Sequence, residues 1–476
     1  MCDDRAILTD RSWRLAILVI TGIALGLGLG LSTLAQGRLA FACALLLTLL
    51  AAGVFIRVLG ARTGLVSVLI VTCFIDRFTY RMGSFDIRSE QIAALVGLAA
   101  VGYWLIVHRN WKILRPNLSE ALLGVWLAIG LVSSLTAAPD PSRSLKGVAL
   151  LAISSLGLLL PRRQLDLIVD TKHLDEVVEV FLIAFAAEAT YGIGAFLAHV
   201  FGSDVSLSTN VASEHMNAFG TLWEPNVFGA FCAAGAVAWA WLGPRYFRFT
   251  WLGIALCLGG MIVSFTRAAW VAAFVVLVLG ALVGPLRRRA SLRQLGLGVA
   301  GTALIVLVVA GAEHSANYYV AGSGTAGTAT TPASRGLLAL LENSVDVIGR
   351  LDQVKIMWPD FKAHPVLGGG VASYGARHPI AGQPEQHIAN LELSVLNDTG
   401  ALGLLVFAAF AVAIGCRAWR NRGDPIVAGL GVTALMIAIT NTATETTELM
   451  ITWVTIGVLV AAIDDVARTK ARHAEG

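Results

Sequence analysis

The sequence predicts an all-α fold: a polytopic transmembrane helical bundle of about 12–14 spans with one large extracytoplasmic loop. Composition is the first reason, because 56% of the 476 residues are hydrophobic and only 14% are charged, whereas a soluble domain carries about 25% charged residues. The mean hydropathy of +0.73 is the second. The third is a run of apolar segments joined by short polar ones, which only the polar stretch 313–390 interrupts.

Each predicted span is an apolar segment approaching the length of about 17–25 residues that crosses the hydrocarbon core of a bilayer. The candidate spans are residues 15–34, 39–56, 62–75, 91–107, 119–135, 145–160, 177–201, 226–242, 249–264, 268–286, 294–312, 391–416, 425–440 and 446–463. Segment 62–75 is shorter than the others, so the expected count is twelve to fourteen. This pattern predicts three parts: a bundle at 1–312, an extracytoplasmic loop with amphipathic helices at 313–390, and C-terminal helices with a cytoplasmic tail at 391–476.

The orientation follows from the placement of lysine and arginine, which concentrate in cytoplasmic loops. With fourteen spans and the N-terminus inside, 23 of the 35 basic residues fall inside. The cluster Arg287, Arg288, Arg289 and Arg293 is the strongest single marker of an inside loop. We therefore expect both termini in the cytoplasm and the long loop outside.

The long loop contains two kinds of sequence. Residues 321–336 are small and polar, which is typical of a flexible segment. Residues 337–363 alternate apolar and charged residues at helical spacing, which predicts an amphipathic helix on the membrane face or against the bundle.

Composition also excludes several functions. The net charge of +4 is small and lies mostly in short loops, so nucleic-acid binding is not expected. The six cysteines lie mainly in apolar spans without the spacing of metal ligands. We expect no metal site, no cofactor and no disulfide framework.

Two arginines are candidates for binding an anion. Arg267 lies between two apolar spans with almost no linker, where it either snorkels from a helix end or performs a function. Arg350 lies on the amphipathic segment and is either a solvated side chain or a bidentate clamp on phosphate. The triple glycine Gly368 to Gly370 is either a simple turn or a place where backbone N–H groups approach an anion.

Acids and a histidine are candidates for proton transfer or for lining a cavity. Glu224 precedes Pro225, which fits a helix start as well as a proton acceptor. His387 is a general-base candidate or a solvated loop histidine. Glu188 lies within a span, where a charge costs about 2.5–3.5 kcal/mol, so it is expected to pair or to line a cavity. The acids Glu445 and Glu448, at the edge of the last span, are further candidates for the same site.

Four segments, in this order, resemble the superfamily of O-antigen ligases and O-antigen polymerases, which are polytopic membrane glycosyltransferases. They are NAFGTLWEPNVFGAF, SFTRAAWVAA, GRLDQVKIMWPDFKAHPVLGGGVASYG and NLELSVLNDTGALGLL. They correspond to the family's proline-asparagine helix start, its serine-arginine turn, its loop with arginine, His-Pro and Gly-x-Gly, and its asparagine-to-GxxG helix. The resemblance covers roughly residues 180–460.

The resemblance implies a GT-C-like enzyme in the bacterial cytoplasmic (inner) membrane. Such an enzyme transfers a glycan from an undecaprenyl-diphosphate carrier to a glycan or glycolipid acceptor, with inversion and without a metal. Arg267 and Arg350 match the family's arginine positions and would hold the diphosphate, with Gly368 and Gly370 in the adjoining loop. Other polysaccharide assembly proteins and the lipid bilayer are the further partners that it implies.

One departure from the family concerns the general base. Ligases carry a histidine immediately before the residue that matches Asn390, and this sequence has Ala389 there. His387 is two positions early, and two residues on a continuous helix turn through about 200°. The substitute bases are the carboxylates Glu392, Glu385 and Glu224. The missing histidine favours a polymerase, or another type of acceptor, over a lipid A ligase.

Two other functions compete with the transferase. A transporter or flippase of lipid-linked glycan or of a small solute would place ionisable residues at the bilayer midplane, often with repeats, and here Glu188 is the main acid within a span. A purely structural partner of a polysaccharide export assembly would not need Arg267 or Arg350.

Overall fold

The computed structural model describes most of the chain. It covers residues 14–28 (except 15 and 18), 38–315, 345–379 and 388–475, with short gaps at 78, 83–84, 110, 166–171, 202–208, 213–214, 223 and 284–288. The segment 321–336, for which the sequence predicts flexibility, lies outside the described residues.

Helices dominate the described chain. They are α1 (Val19–Gly28), α2 (Arg38–Leu59), α3 (Ala61–Cys73), α4 (Ser89–His108), α5 (Leu118–Thr136), α6 (Pro141–Ser154), α7 (Leu156–Leu165), α8 (Lys172–Val200), α9 (Pro225–Tyr246), α10 (Thr250–Val263), α11 (Arg267–Val283), α12 (Arg289–Ser315), α13 (Val345–Ala363), α14 (Tyr374–Arg377), α15 (Leu391–Arg420), α16 (Pro425–Asn441) and α17 (Met450–Glu475). Two antiparallel hairpins pair β1 (Thr79–Met82) with β2 (Phe85–Arg88) and β3 (Thr209–Ala212) with β4 (His215–Ala218).

The helices confirm the all-α polytopic membrane fold. Nine helices of the described chain are long and apolar enough to cross a membrane, and five shorter apolar helices accompany them. Together they fall on the fourteen predicted spans. Large apolar side chains such as Phe274, Leu307 and Leu405 are more than 60% exposed on these helices, as expected for surfaces that contact lipid. The two short hairpins were not predicted.

Polar residues at the predicted boundaries determine where several helices begin. The Asn117 side chain accepts from the Glu120 backbone N–H at 2.9 Å, and the Glu120 carboxylate accepts from the Asn117 N–H at 3.0 Å. Asp424 accepts from two N–H groups of α16 and precedes a proline, which suits the first helical turn. Asn390 accepts from the Leu393 N–H at 2.8 Å and so caps α15.

The chain divides into two compact units. Unit 1 contains residues 1–114, 156–184 and 449–476, and unit 2 contains residues 115–155 and 185–448. The predicted division into bundle, loop and C-terminal helices follows the chain instead and stays a prediction.

In unit 1, helices α7 and α17 pack closely through glycine. A Cβ atom on Gly157 would lie 2.8 Å from the Met450 carbonyl oxygen, and one on Gly457 would lie 2.5 Å from the Gly157 carbonyl oxygen. Small residues let membrane helices approach in this way. The Arg162 Nε–Asp464 Oδ2 ion pair, at 2.7 Å, joins the same two helices.

In unit 2, helix α9 is the central element. Of its most apolar stretch, 89% is buried inside the protein. Helices α8, α10, α11, α12 and α16 pack on it or beside it. Gly235 leaves space for Phe185 of α8, and Gly243 for Thr250 of α10, since an added Cβ would come within 2.9 and 2.6 Å of them.

Helix α15 is broken at Gly400, whose φ of 67° lies outside the helical region. The loop of residues 364–372, here called the glycine loop, crosses the break. Its Pro365 and Val366 carbonyl oxygens accept from the N–H groups of Ala401 and Leu402 at 2.9 and 3.2 Å. The loop therefore supplies partners for backbone groups that the break frees, as a membrane protein requires.

We predict that Gly400→Ala destabilises the protein by at least about 1–3 kcal/mol, because its left-handed φ is unfavourable for alanine. In addition, the new Cβ would lie 2.3 Å from the Val366 carbonyl oxygen. The measurement is the midpoint of thermal unfolding of the purified protein in detergent. The matched control is Gly415→Ala on the same helix, where an added Cβ meets nothing within 4 Å. Equal midpoints for both variants would contradict the proposed role of the break.

Candidate functional site

Predicted site residues from separate parts of the sequence meet at one end of unit 2, here called the loop end. Helices α9, α11 and α15 begin there and helices α10 and α16 end there. Three hydrogen bonds between these helix ends define the loop end: Thr266 to Pro225, Thr444 to Glu224, and Asn390 to Thr442.

Arg267 reaches the loop end through a tight turn between α10 and α11. The Thr266 hydroxyl donates to the Pro225 carbonyl oxygen at 2.8 Å, and Phe265 adopts a left-handed φ of 57°. Gly229 allows this approach, because an added Cβ would lie 2.4 Å from both the Ser264 and Thr266 hydroxyl oxygens. The turn is thus seated on the first turn of α9.

The electrostatics of this turn suit an anion. Arg267 is the first residue of α11, so its guanidinium lies at the positive end of the helix dipole. Helix N-termini are frequent binding places for phosphate groups, because the dipole and the free N–H groups there favour negative charge. Arg267 is half-buried, so solvent screens these charges only in part.

Glu224 lies beside the same turn. It is half-buried immediately before α9, and its Oε1 accepts from the Thr444 hydroxyl at 3.2 Å. Asn390, at the start of α15, donates through Nδ2 to the Thr442 carbonyl oxygen at 2.7 Å. The segment between α16 and α17 therefore contacts the beginnings of both α9 and α15.

A cluster of three carboxyl groups forms on this segment and α15: Glu445, Glu448 and Asp398. Burial, followed by the neighbouring charges of Glu448 and Asp398, raises the pKa of Glu445 to about 8. Hydrogen bonds from Ser394 and from the Thr447 hydroxyl, the latter at 2.8 Å, oppose this rise. Glu448, a predicted cavity acid, belongs to this cluster and lies half-buried.

Glu188, the other predicted cavity acid, is paired. It is 6% exposed on α8. One carboxylate oxygen accepts from the Thr221 backbone N–H and the other from the Thr221 hydroxyl, both at 2.7 Å. Gly220 has a left-handed φ of 61°, and a Cβ there would lie 2.0 Å from Glu188 Oε1. The Glu188 carboxylate is therefore held by Thr221, in the segment that leads to Glu224.

The glycine loop differs from its predicted role. The N–H groups of Gly368, Gly369 and Gly370 donate to the carbonyl oxygens of His364, Asn397 and Asp398 at 2.9, 2.8 and 3.2 Å. The Gly370 N–H also lies 2.8 Å from the Ser133 hydroxyl. Because these donors are used within the protein, the geometry argues against the prediction that Gly368 and Gly370 bind a diphosphate through them. The glycines instead let the loop lie against α15 and α5.

The remaining predicted residues are placed as follows. Arg350 lies in α13, which packs against α15. Glu392 is exposed in the first turn of α15. His387 lies outside the described residues. The Ala389 N–H donates to Gln353 Oε1 at 3.3 Å, so the position that carries histidine in ligases faces α13.

Sequence reasoning missed the polar network that holds the glycine loop. Asp398 accepts from the Ala372 N–H at 3.1 Å, and Ser144 donates to the Val371 carbonyl oxygen at 2.6 Å. The Arg377 guanidinium donates to the Gly369 carbonyl oxygen. Asp398 stands two residues before Gly400 in an apolar span, and an acid at such a place was the available signal.

A second missed group lies beside α14. Asp360 Oδ2 is 2.8 Å from His378 Nε2 and 3.5 Å from Arg377 Nη1. Burial, followed by the Asp360 charge, raises the pKa of Tyr374. This group fastens α13 to the glycine loop, so the helix that carries Arg350 is tied to the loop end.

Taken together, the loop end combines a guanidinium at a helix start with carboxyl groups from three segments. The guanidinium suits an anionic group, and a half-buried carboxylate suits proton acceptance. Apolar helices with exposed aliphatic side chains adjoin the guanidinium and the carboxyl groups. An amphiphilic substrate with an anionic headgroup fits this combination.

We predict that Thr221→Val destabilises the protein by about 1.5–3 kcal/mol, because the buried Glu188 carboxylate loses a charge-assisted hydrogen bond. The shape of the side chain is almost unchanged, so packing contributes little. Thermal unfolding in detergent measures the effect. Thr190→Val, which removes an exposed hydroxyl bonded within the same helix, is the control. A Thr221 variant as stable as the control would contradict the role of the bond.

Comparison with known families identifies part of this region. Residues 252–411 match the family described as O-antigen ligase. The match extends over about a third of the chain, from α10 through the Arg267 turn and the glycine loop into α15. The match confirms the resemblance seen in the sequence. No curated protein matches the chain.

Proposed function

We propose that this protein is a lipid-linked oligosaccharide glycosyltransferase, on the support of the match between residues 252–411 and the O-antigen ligase family. It moves a glycan from an undecaprenyl-diphosphate-linked donor to a glycan or glycolipid acceptor. The reaction takes place at the outer face of the bacterial cytoplasmic membrane and contributes to surface polysaccharide polymerisation or ligation. Both termini then lie in the cytoplasm.

One observation carries this proposal: the Arg267 turn lies within the matched domain and is bonded to the start of α9 at the loop end. A polyprenyl diphosphate needs lipid for its chain and cations for its headgroup. Apolar helices with Arg267 at their end provide both. The paired Glu188 supports a transferase over a transporter or flippase, which remains the alternative, because Thr221 already satisfies that acid within the protein.

The donor diphosphate is held by Arg267 and Arg350 in this proposal. A guanidinium forms two parallel hydrogen bonds to phosphate oxygens, and these strengthen as the leaving diphosphate gains charge. The dipole of α11 adds to Arg267. Arg350 is carried by α13, which the Asp360 contacts fasten to the glycine loop. With two cations at the diphosphate, the transfer proceeds without a metal.

The acceptor hydroxyl attacks the anomeric carbon and gives its proton to a base. Glu224, Glu392, Glu385 and His387 are the bases that the sequence predicts, and Glu385 and His387 lie outside the described residues. Glu224 has the better support of the two described carboxylates, because it is half-buried beside the Arg267 turn whereas Glu392 is exposed. Ala389 offers no imidazole where ligases carry one, which favours polymerisation over ligation to lipid A.

We predict that Arg267→Ala and Arg350→Ala each reduce glycan transfer about 10- to 150-fold, since each removes a charge-assisted interaction of about 1.5–3 kcal/mol. Lysine at either position should retain part of the rate, because it keeps the charge without the bidentate geometry. The measurement is surface glycan in a deletion strain complemented at matched membrane levels.

Arg420→Ala is the control for this experiment, since Arg420 is exposed in the last turn of α15, far along that helix from its start at the loop end. Full restoration of surface glycan by both alanine variants at the two candidate sites would contradict the diphosphate clamp. Sugar analysis of the deletion strain separates the two reactions. Single repeats that remain attached to the surface indicate polymerisation, and loss of all attachment indicates ligation.

A further inference from the structure

A carboxyl group lies beside the helix start that follows the position lacking the ligase histidine. Asn390, next to Ala389, donates to the Thr442 carbonyl oxygen at 2.7 Å. Ser394, one helical turn of about 5.4 Å further along α15, donates to the Glu445 carboxylate. Glu445 is thus placed against the first turn of the helix that carries the histidine in ligases.

From this placement we infer that Glu445 is the general base of the glycosyl transfer, an inference that rests on the proposed function. In the step, the acceptor hydroxyl oxygen forms a bond to the anomeric carbon and its proton passes to the Glu445 carboxylate. The bond between the anomeric carbon and the diphosphate oxygen breaks. The bonding electron pair leaves with the diphosphate, which Arg267 stabilises.

Contacts join Glu445 to the cationic part of the site. Its neighbour Thr444 donates to Glu224 at 3.2 Å. Glu224 adjoins Pro225, whose carbonyl oxygen accepts from Thr266, the residue before Arg267, at 2.8 Å. The residue beside Glu445 and the residue beside Arg267 are therefore both bonded to the start of α9, which places Glu445 and Arg267 at the same end of unit 2.

The surroundings of Glu445 suit a base. The side chain is half-buried, so it is accessible to an acceptor and still shielded from bulk water. Thr447 donates to its Oε1 at 2.8 Å, and Thr446 is bonded to Asn441 at 2.9 Å, which orients the segment. With its pKa near 8, the Glu445 carboxylate binds a proton more strongly than a solvated one and remains ionisable at neutral pH. Glu392, in contrast, is exposed.

The groups that face Glu445 determine its pH dependence. Glu448 on the same segment and Asp398 on α15 raise its pKa, and Arg377 faces Asp398. A base must be ionised, so the rate should rise with pH through a midpoint near 8. Glu448→Gln removes a negative neighbour and lowers the pKa of Glu445. The pH at which the rate rises should then move to a lower value.

The test uses membranes of a deletion strain, which hold the accumulated lipid-linked glycan and the acceptor, together with purified protein. The initial rate of polyprenyl-diphosphate release is measured from pH 5.5 to 9.5, and donor retention and thermal unfolding are measured for each variant. We expect Glu445→Gln to lower the rate about 10²- to 10⁴-fold, and the remaining rate should no longer rise with pH near 8. Donor retention and thermal unfolding should match wild type. Glu445→Asp should restore part of the rate and its rise with pH.

Each result decides the inference. If the rate of Glu445→Gln is within threefold of wild type, Glu445 is not the base. The same conclusion follows if the rate of Glu448→Gln rises with pH over the same range as wild type. Either result leaves the proposed function intact. The same holds if Glu224→Gln or Glu392→Gln alone removes the rise of the rate with pH. If wild-type protein releases no polyprenyl diphosphate, the proposed function itself fails, and the assignment of Glu445 fails with it.

Discussion

The break in α15 at Gly400 is the constraint on which the loop end depends. A helix that breaks inside an apolar bundle frees backbone groups that lipid cannot satisfy. Here the glycine loop satisfies them in both directions, accepting from Ala401 and Leu402 and donating to Asn397 and Asp398. These hydrogen bonds require the backbone of the loop to lie directly against the backbone of α15, which explains the glycines in the loop and at the break. The same hydrogen bonds hold the first half of α15, which bears Asn390 and Ser394.

The second constraint is the close seating of the Arg267 turn on α9. Gly229 leaves no side chain at the contact, and the Thr266 hydroxyl reaches the Pro225 carbonyl oxygen. The positive end of the α11 dipole favours a negative group. In the proposed function, the donor diphosphate is that group. The packing that holds the turn is thus the packing that positions the charge.

Charges of both signs lie at the loop end. Arg267 begins α11, Glu445 and Glu448 lie on the segment between α16 and α17, and Asp398 lies on α15. Partial burial strengthens the electrostatic interactions of Arg267 and of the carboxyl groups, because water does not fully screen them. In the proposed reaction the negative charge of the leaving diphosphate develops beside Arg267, and the proton of the acceptor moves to Glu445.

The sequence by itself determined the membrane fold, the positions of the apolar segments and the segments that carry the family resemblance, because hydropathy and helix-capping residues are local properties of the chain. It also identified Arg267, Glu224 and Glu188 as unusual, since each is a charge beside or within an apolar segment. Only the tertiary structure decided which of these residues share a site. Glu188 proved to be paired with Thr221, the glycine loop proved to complete a broken helix, and Glu445 joined Asp398. These outcomes depend on hydrogen bonds between distant segments, such as Ser133 to Asp398, which are 265 residues apart. Every buried donor needs a partner, but sequence spacing does not indicate which distant backbone group that partner will be.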